Sequence, residues 1–300
     1  MISIIIPSYN SSKTIESTLK AIDAQAKSGL IEEVIVADSS NDDLTKKIIS
    51  KYNSSKIRII DTGIKTMPAI SRNVGAQSAK GEVLAFLDSD VYPADDWIEN
   101  IAEAYKNGCM VGGGSIEVAE LQRRNLFALA QYYLQFNEYM DVASNRVKAF
   151  VPSCNMFCSK DLFIKAGGFP DIRAAEDVLF GLKMSKIAQL WFLPKVKVFH
   201  IFRENWRSLI DNQKLLGKYI LIYRKQYYKS VLYKGIMPVV LLPAFLFVKL
   251  LRIVIRICSS GGKQLFRFIL TLPIFLLGLL FWSFGFLQAC FLRRSKSSVA

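Results

Sequence analysis

The sharpest local chemistry in this 300-residue sequence is Asp88-Ser89-Asp90. Two carboxylates one residue apart, where a chain leaves a strand, can turn oxygen ligands toward one hard cation such as Mg2+ or Mn2+ shared with phosphates. The ordinary alternative is a helix-capping turn ahead of Pro93-Ala94-Asp95-Asp96-Trp97. Other acids distant in sequence, Asp38 and the pair Glu176-Asp177, give the motif company, and Arg72 supplies a cation. The single histidine, His200, ends the run Lys197-Val198-Phe199-His200 and is either a site residue or a hydrogen-bonded core side chain. Five cysteines, an odd number spread over the chain, do not form a disulfide framework and suit a reducing compartment; Cys154 and Cys158 read as small core residues rather than half of a zinc site.

The elements that must hold these residues alternate over the first 90 positions. Residues 2–7 read as a buried strand, followed by a helix with the stripe Ile15, Leu19, Ile22, Ala26 and N-caps offered by Ser11 and Ser12. A strand at 33–37, a helix at 43–52, a strand at 56–60 and a helix at 68–80 ending at Gly81 come next. The apolar strand 83–87 then runs into Asp88. Strands alternating with crossover helices predict an α/β fold with a mainly parallel sheet and helices on both faces. Ligands of such sheets sit beyond the carboxyl ends of strands, where Ser8-Tyr9-Asn10, Asp38, Asp88 and Asp90 fall. The middle is less regular: Gly112-Gly113-Gly114 is a turn or a close backbone approach, residues 121–139 predict a helix, and Gly167-Gly168-Phe169-Pro170 is a tight turn leading to Glu176.

Charge separates the two ends of the chain. Residues 1–194 hold 21 Lys/Arg against 23 Asp/Glu, whereas residues 195–300 hold 18 against 2. This excludes a uniformly basic nucleic-acid coat and gives the tail an anionic partner. The 25 uncharged residues 268–292 select a membrane over nucleic acid, being long enough to cross a bilayer core of about 30 Å. The N-terminal apolar run lacks a basic flank and a cleavage site, so no signal peptide is expected and the N-terminal unit should stay cytosolic. Arg207, Lys214, Lys218, Lys225 and Lys229 fall on one face of a helix, with Leu209, Leu216, Tyr219, Ile220, Tyr223 and Tyr227 opposite. Downstream, residues 235–248 are too short for a comfortable crossing, and Lys249, Arg252 and Arg256 suit an interfacial helix with snorkelling side chains. A single crossing at 268–292 then exports only Arg293, Arg294 and Lys296; two crossings are the alternative.

Taken in order, Ile5-Ile6-Pro7-Ser8-Tyr9-Asn10, Val36-Ala37-Asp38-Ser39-Ser40, Ser71-Arg72-Asn73-Val74-Gly75, Leu87-Asp88-Ser89-Asp90, Gly167-Gly168-Phe169 and Glu176-Asp177-Val178 resemble a family 2 inverting glycosyltransferase with the GT-A fold, over about residues 2–200. The resemblance implies that Pro7 and Tyr9 pack around a nucleotide base and that Asp38 accepts a base N–H. It assigns Arg72 to the nucleotide side, Asp88 to the ribose or metal, Asp90 to a divalent cation (Mg2+ or Mn2+) and Asp177 to the general base, with Glu176 beside it in the substrate site. His200 stands where related enzymes often carry a histidine that reaches the metal or diphosphate. A nucleoside diphosphate leaving group needs its charge neutralised, and an attacking hydroxyl needs a carboxylate to take its proton; direct displacement inverts the anomeric centre. Two departures stand out. Asp38-Ser39-Ser40-Asn41 lacks the usual second acid, and the Gln-x-x-Arg-Trp signature of processive synthases is absent, which implies one sugar per encounter.

The expected organisation is a GT-A catalytic domain at 1–203, a basic amphipathic linker at 204–234, and a membrane-associated region at 235–300. The expected activity is membrane-attached transfer from a nucleotide-sugar to a hydroxyl or phosphate acceptor, such as a lipid-linked glycan or polyprenyl phosphate, in envelope glycan synthesis, with no nucleic-acid partner. A nucleotidyltransferase would want a Gly-rich basic loop near the N-terminus, which Pro7-Ser8-Tyr9-Asn10 is not. A non-catalytic nucleotide-sugar-binding scaffold is the second reading.

Overall fold

Residues 1–52, 56–141, 144–228 and 230–292 are described by the structure, a computed structural model. The chain divides into one unit of Met1–Glu117 with Asp141–Ile201, and a second of Val118–Met140 with the residues from Phe202 onward.

The first unit is built on one sheet. β1 (Ile2–Ser8), β2 (Ile31–Asp38), β3 (Ile57–Asp61) and β4 (Val83–Leu87) pair in parallel in the order β3-β2-β1-β4. Between them run α1 (Ile15–Ala24), α2 (Asp43–Lys51) and α3 (Pro68–Ser78). β1 and β4 are buried at every position, as central strands covered on both faces must be. Beyond β4 the pairing changes. β5 (Val91–Pro93), α4 (Trp97–Lys106), β6 (Val111–Val118), β7 (Arg146–Lys148), β8 (Asn155–Ser159), α6 (Lys160–Ala166), α7 (Glu176–Met184) and β9 (Leu190–His200) complete the unit, α5 (Leu126–Gln135) lying between β6 and β7 in the chain. The sheet continues β4-β8-β6-β9-β5, with β7 also on β9, and the pairs β4–β8, β6–β8, β5–β9 and β7–β9 are antiparallel. The sheet is therefore mixed, with its parallel part confined to the region where strand and crossover helix alternate in sequence.

Two local expectations change, and a third, left open between a turn and a close backbone approach, resolves to the latter. Ser11 and Ser12 do not cap α1: Thr14 holds the N-cap position without a side-chain bond, because the Ser11 hydroxyl is engaged 2.7 Å from that of Ser89. The helix expected at 121–139 is α5 (Leu126–Gln135), preceded by a single 3-10 turn; the Asn125 side chain accepts from the amides of Phe127 and Ala128 and sets its start. Gly112, Gly113 and Gly114 lie inside β6 rather than in a turn, and a Cβ on Gly114 would overlap the Val196 carbonyl oxygen.

The second unit gathers α5 with α8 (Trp206–Tyr227), α9 (Met237–Val240), α10 (Leu242–Ser259) and α11 (Gly262–Phe291). Leu129, Tyr133 and Leu134 of α5 share a core with Leu209, Ile253, Phe268 and Phe275, which is why this segment joins the C-terminal helices. Pro238 and Pro243 each fall in a first helical turn, where the missing N–H costs nothing, and so divide α9 from α10. The buried row of α8 is Leu209, Gln213, Gly217 and Leu221, so a glutamine and a glycine stand inside it. Lys229 of the basic face lies outside the described residues, as do Arg293, Arg294 and Lys296. At Gly217 a Cβ would overlap the Trp282 carbonyl, and at Gly285 the Lys214 carbonyl; α8 and α11 thus meet backbone to backbone. Among the described residues α11 alone is long and apolar enough to cross a membrane.

Candidate active site

The parallel register sets one line of polar groups. Ser8 pairs with Asp38 across β1 and β2, and β4, on the other side of β1, ends at Leu87, so Tyr9, Asp38 and Asp88 leave neighbouring strands at the same edge. Asp38 is fully buried. Its Oδ1 accepts from Ser40 Oγ at 2.6 Å, while among the described residues Oδ2 has no hydrogen-bond partner, and neither does the buried Ser8 Oγ. A buried carboxylate oxygen left unpaired is costly, and it points to a donor supplied from outside the chain. The loops after β1 and β2 bridge each other here: Asn10 N donates to Ser40 Oγ, Asn41 N to Asn10 Oδ1, and Asn41 Nδ2 to Tyr9 Oη. Lys65 Nζ lies 4.4 Å above the Tyr9 ring. Pro7 is buried in the strand beneath.

Arg72 is the organiser of the next group. It sits on the buried face of α3, which approaches β1 closely because Gly75 leaves room for Ile5. The guanidinium is 2% exposed and holds two carboxylates at once, Asp88 Oδ1 at 2.5 Å from Nη2 and Glu176 Oε1 at 3.0 Å from Nη1. Those two acids come from segments 88 residues apart, so a single buried cation fixes the strand end against the start of α7. Beside it Asp177 accepts from the Val178 amide at 2.8 Å. Burial and the adjacent Glu176 charge push the Asp177 carboxyl well above the usual carboxylate range, the Val178 and Arg72 contributions opposing.

Asp90 and His200 form the third group. The Asp90 carbonyl accepts from Ile201 N, Val91 pairs with His200, and His200 Nε2 stands 4.0 Å from Asp90 Oδ1. A carboxylate oxygen and an imidazole nitrogen are donor types that could hold a Mn2+ or Mg2+, whose remaining ligands would have to come from phosphate and water. Asp88 is turned to Arg72, and among the described residues no group of three His, Cys, Asp or Glu makes a complete cage.

The structure thus gathers Tyr9 and Asp38 at one end, Arg72, Asp88, Glu176 and Asp177 in the middle, and Asp90 with His200 along β5 and β9. Several positioning residues were silent in the sequence. Asn73 donates to the Phe169 carbonyl and accepts from its amide, holding the glycine turn to α3. Asn155 takes the Trp97 indole N–H and donates to the carbonyls of Ser115 and Val196, tying β8 to α4, β6 and β9. Ala175, immediately before Glu176, has φ 68°, and Asn10 has φ 50°; among the described residues these are the two non-glycine positions with positive φ, and both flank this site. Asn73 and Asn10 carried a signal, the one beside Arg72 in the 71–75 segment and the other at the end of the first strand.

Comparison with known proteins bears on the family and the fold. The family model described as Glycosyl transferase family 2 matches residues 3–167. Glycosyltransferase AglE of Haloferax volcanii is 27% identical over 173 residues, covering 57% of this chain and 56% of the relative. The Escherichia coli UDP-Glc:alpha-D-GlcNAc-diphosphoundecaprenol beta-1,3-glucosyltransferase WfgD is 32% identical over 103 residues, 34% of this chain and 38% of the relative. The chain therefore spans about half, or less, of the curated relatives it matches. Among solved structures, S. aureus TarS 1-349 superposes with TM-score 0.53 at 21% identity, covering 74% of this chain and 64% of that one. GalNAc-T7 with UDP, GalNAc and Mn2+ gives 0.56 at 16% identity, covering 79% and 52%. Both likenesses concern the fold.

Proposed function

The chain belongs to glycosyl transferase family 2 and is a transferase of GT-A fold, and we propose that it moves one sugar per encounter from a nucleotide-sugar to a hydroxyl or phosphate on a lipid-linked acceptor, with inversion, while attached to a membrane. The observation that carries this reading is the Arg72 clamp, which sets Asp88 and Glu176 beside a carboxyl of raised proton affinity at the strand ends. In this reading the base stacks near Tyr9 and Pro7 and donates its N–H to Asp38, whose free Oδ2 is the supporting observation. Asp88 faces the ribose. Asp90 and His200 would hold the divalent cation, which would neutralise charge on the diphosphate. Asp177 takes the proton of the acceptor hydroxyl as its oxygen attacks the anomeric carbon, the bond to the diphosphate breaks, and the nucleoside diphosphate leaves. A carboxylate of raised pKa is a better proton acceptor than an ordinary one.

The lipid-linked acceptor is supported by relatives such as WfgD, whose name states a diphosphoundecaprenol substrate, and the membrane by the apolar helix α11. The purified chain with Mn2+ should release free nucleotide from one member of a panel of UDP-, GDP- and dTDP-sugars when given a polyprenyl-linked acceptor extract. The same donor should raise its melting temperature. Asp38→Ala should weaken donor binding far more than it slows bound donor. A panel with no release and no thermal shift would overturn the reading.

A further inference from the structure

Helix α11 shows opposite characters on opposite faces. At 100° per residue Gly278 and Gly285, which meet Gln213 and Lys214 of α8, point within about 20° of each other, whereas Ile269, Leu276 and Leu280 point about 160–200° away. Those three are each 52% exposed, and Phe266 and Phe284 extend the stripe. On the packed face α8 runs parallel to the C-terminal half of α11, from Gly217 at Trp282 to Lys225, whose Nζ donates to the Ala289 carbonyl at 2.7 Å. Sinking that half of α11 into the hydrocarbon would carry Asp211, Lys214, Lys218, Arg224 and Lys225 with it, ionised groups that are costly to place in a bilayer core.

The other end of α11 is tied as firmly. Tyr133 Oη donates to Gln264 Oε1 at 2.9 Å, and Arg256 donates to Asn137 Oδ1 at 2.7 Å and pairs with Glu138 at 3.2 Å. Glu138 is three residues before Asp141, where the chain enters the catalytic unit. The turn between α10 and α11 is thus held to the residues that follow α5, and a crossing by α10 would have to carry the Arg256–Glu138 pair into the bilayer.

We propose that α11 does not span the membrane but lies along it, with the stripe from Phe266 to Phe284 facing the acyl chains of one leaflet and α8 seated on its back among the headgroups. The occupant is a leaflet rich in anionic phospholipid: residues 202–292 carry 13 Lys/Arg against 2 Asp/Glu, and Arg252 is exposed beside Leu251 and Ile255 on α10. The inference rests on the membrane attachment proposed above. Its test uses the full chain with native cysteines replaced and single probes at Lys20→Cys on α1, at Cys258, or at Gln226→Cys beside the far end of α11. Sealed membrane vesicles are treated with an impermeant maleimide, and detergent-opened vesicles set the total. All three positions should label from the same side. Gln226→Cys labelling from the side opposite Lys20→Cys would establish a crossing and overturn the proposal; recovery of the chain outside the membrane fraction would overturn the attachment reading itself. In flotation, phosphatidylglycerol vesicles should capture the chain better than phosphatidylcholine vesicles. Leu276→Asp with Leu280→Asp should abolish capture while the melting transition persists. Undiminished capture, or a soluble dimer that buries the stripe, would contradict a lipid occupant.

Discussion

Asp177 and Glu176 sit side by side at the head of α7, yet they are set different tasks: Glu176 is spent on Arg72, and Asp177 is left with one backbone donor and a raised proton affinity. If Asp177 is the base, Asp177→Asn should lower kcat by about 10²–10⁴-fold with donor affinity nearly unchanged, read by turnover and by titration of donor. Wild-type kcat in this variant would move the role elsewhere. The pH dependence has a definite sign. A base works deprotonated, so kcat/KM should rise with pH through an apparent pKa above the ordinary carboxylate range. Glu176 raises that pKa by its charge. Glu176→Gln keeps an acceptor for Arg72 Nη1 while removing the charge, so the acid limb should move to lower pH. A limb that stays in place would show that burial alone sets it.

At the scale of elements, the strands of the parallel half were legible because a covered strand is an unbroken apolar run and its end is where polar residues begin: β4 and Asp88 follow that rule directly. Asp38, Asp88 and Asp90 were legible for the same reason, whereas Glu176 and Asp177, at the head of α7, were marked only by the family resemblance. What joins them was not. The Arg72 clamp depends on α7 arriving from far along the chain, and helical periodicity carries no record of its partner. The 118–140 segment likewise reads as a helix of the catalytic unit in sequence, and only the shared core with Phe268 and Phe275 assigns it to the C-terminal helices. The glycine run left two possibilities that packing resolves: β6 lies so close to β9 that Gly114 has no room for a methyl group. Gly114→Ala should therefore cost about 3 kcal/mol or more, at the upper end for overpacking, and lower the melting temperature; an unchanged melting temperature would show that β9, which carries His200, yields easily.

For the whole molecule, charge and hydropathy separate a nearly neutral stretch, residues 1–194, from a basic C-terminal one, and the family match, residues 3–167, falls within the former. The central claim is that the carboxylates at the strand ends perform a cation-assisted sugar transfer. The most direct measurement is release of free nucleotide from the accepted donor by wild type and by Asp90→Ala, each titrated with Mn2+ and then with excess chelator. Wild type should turn over, lose turnover in chelator and regain it with added Mn2+, and Asp90→Ala should show none at any Mn2+ concentration despite an intact melting transition; full turnover in excess chelator, or by Asp90→Ala, would contradict cation-assisted transfer.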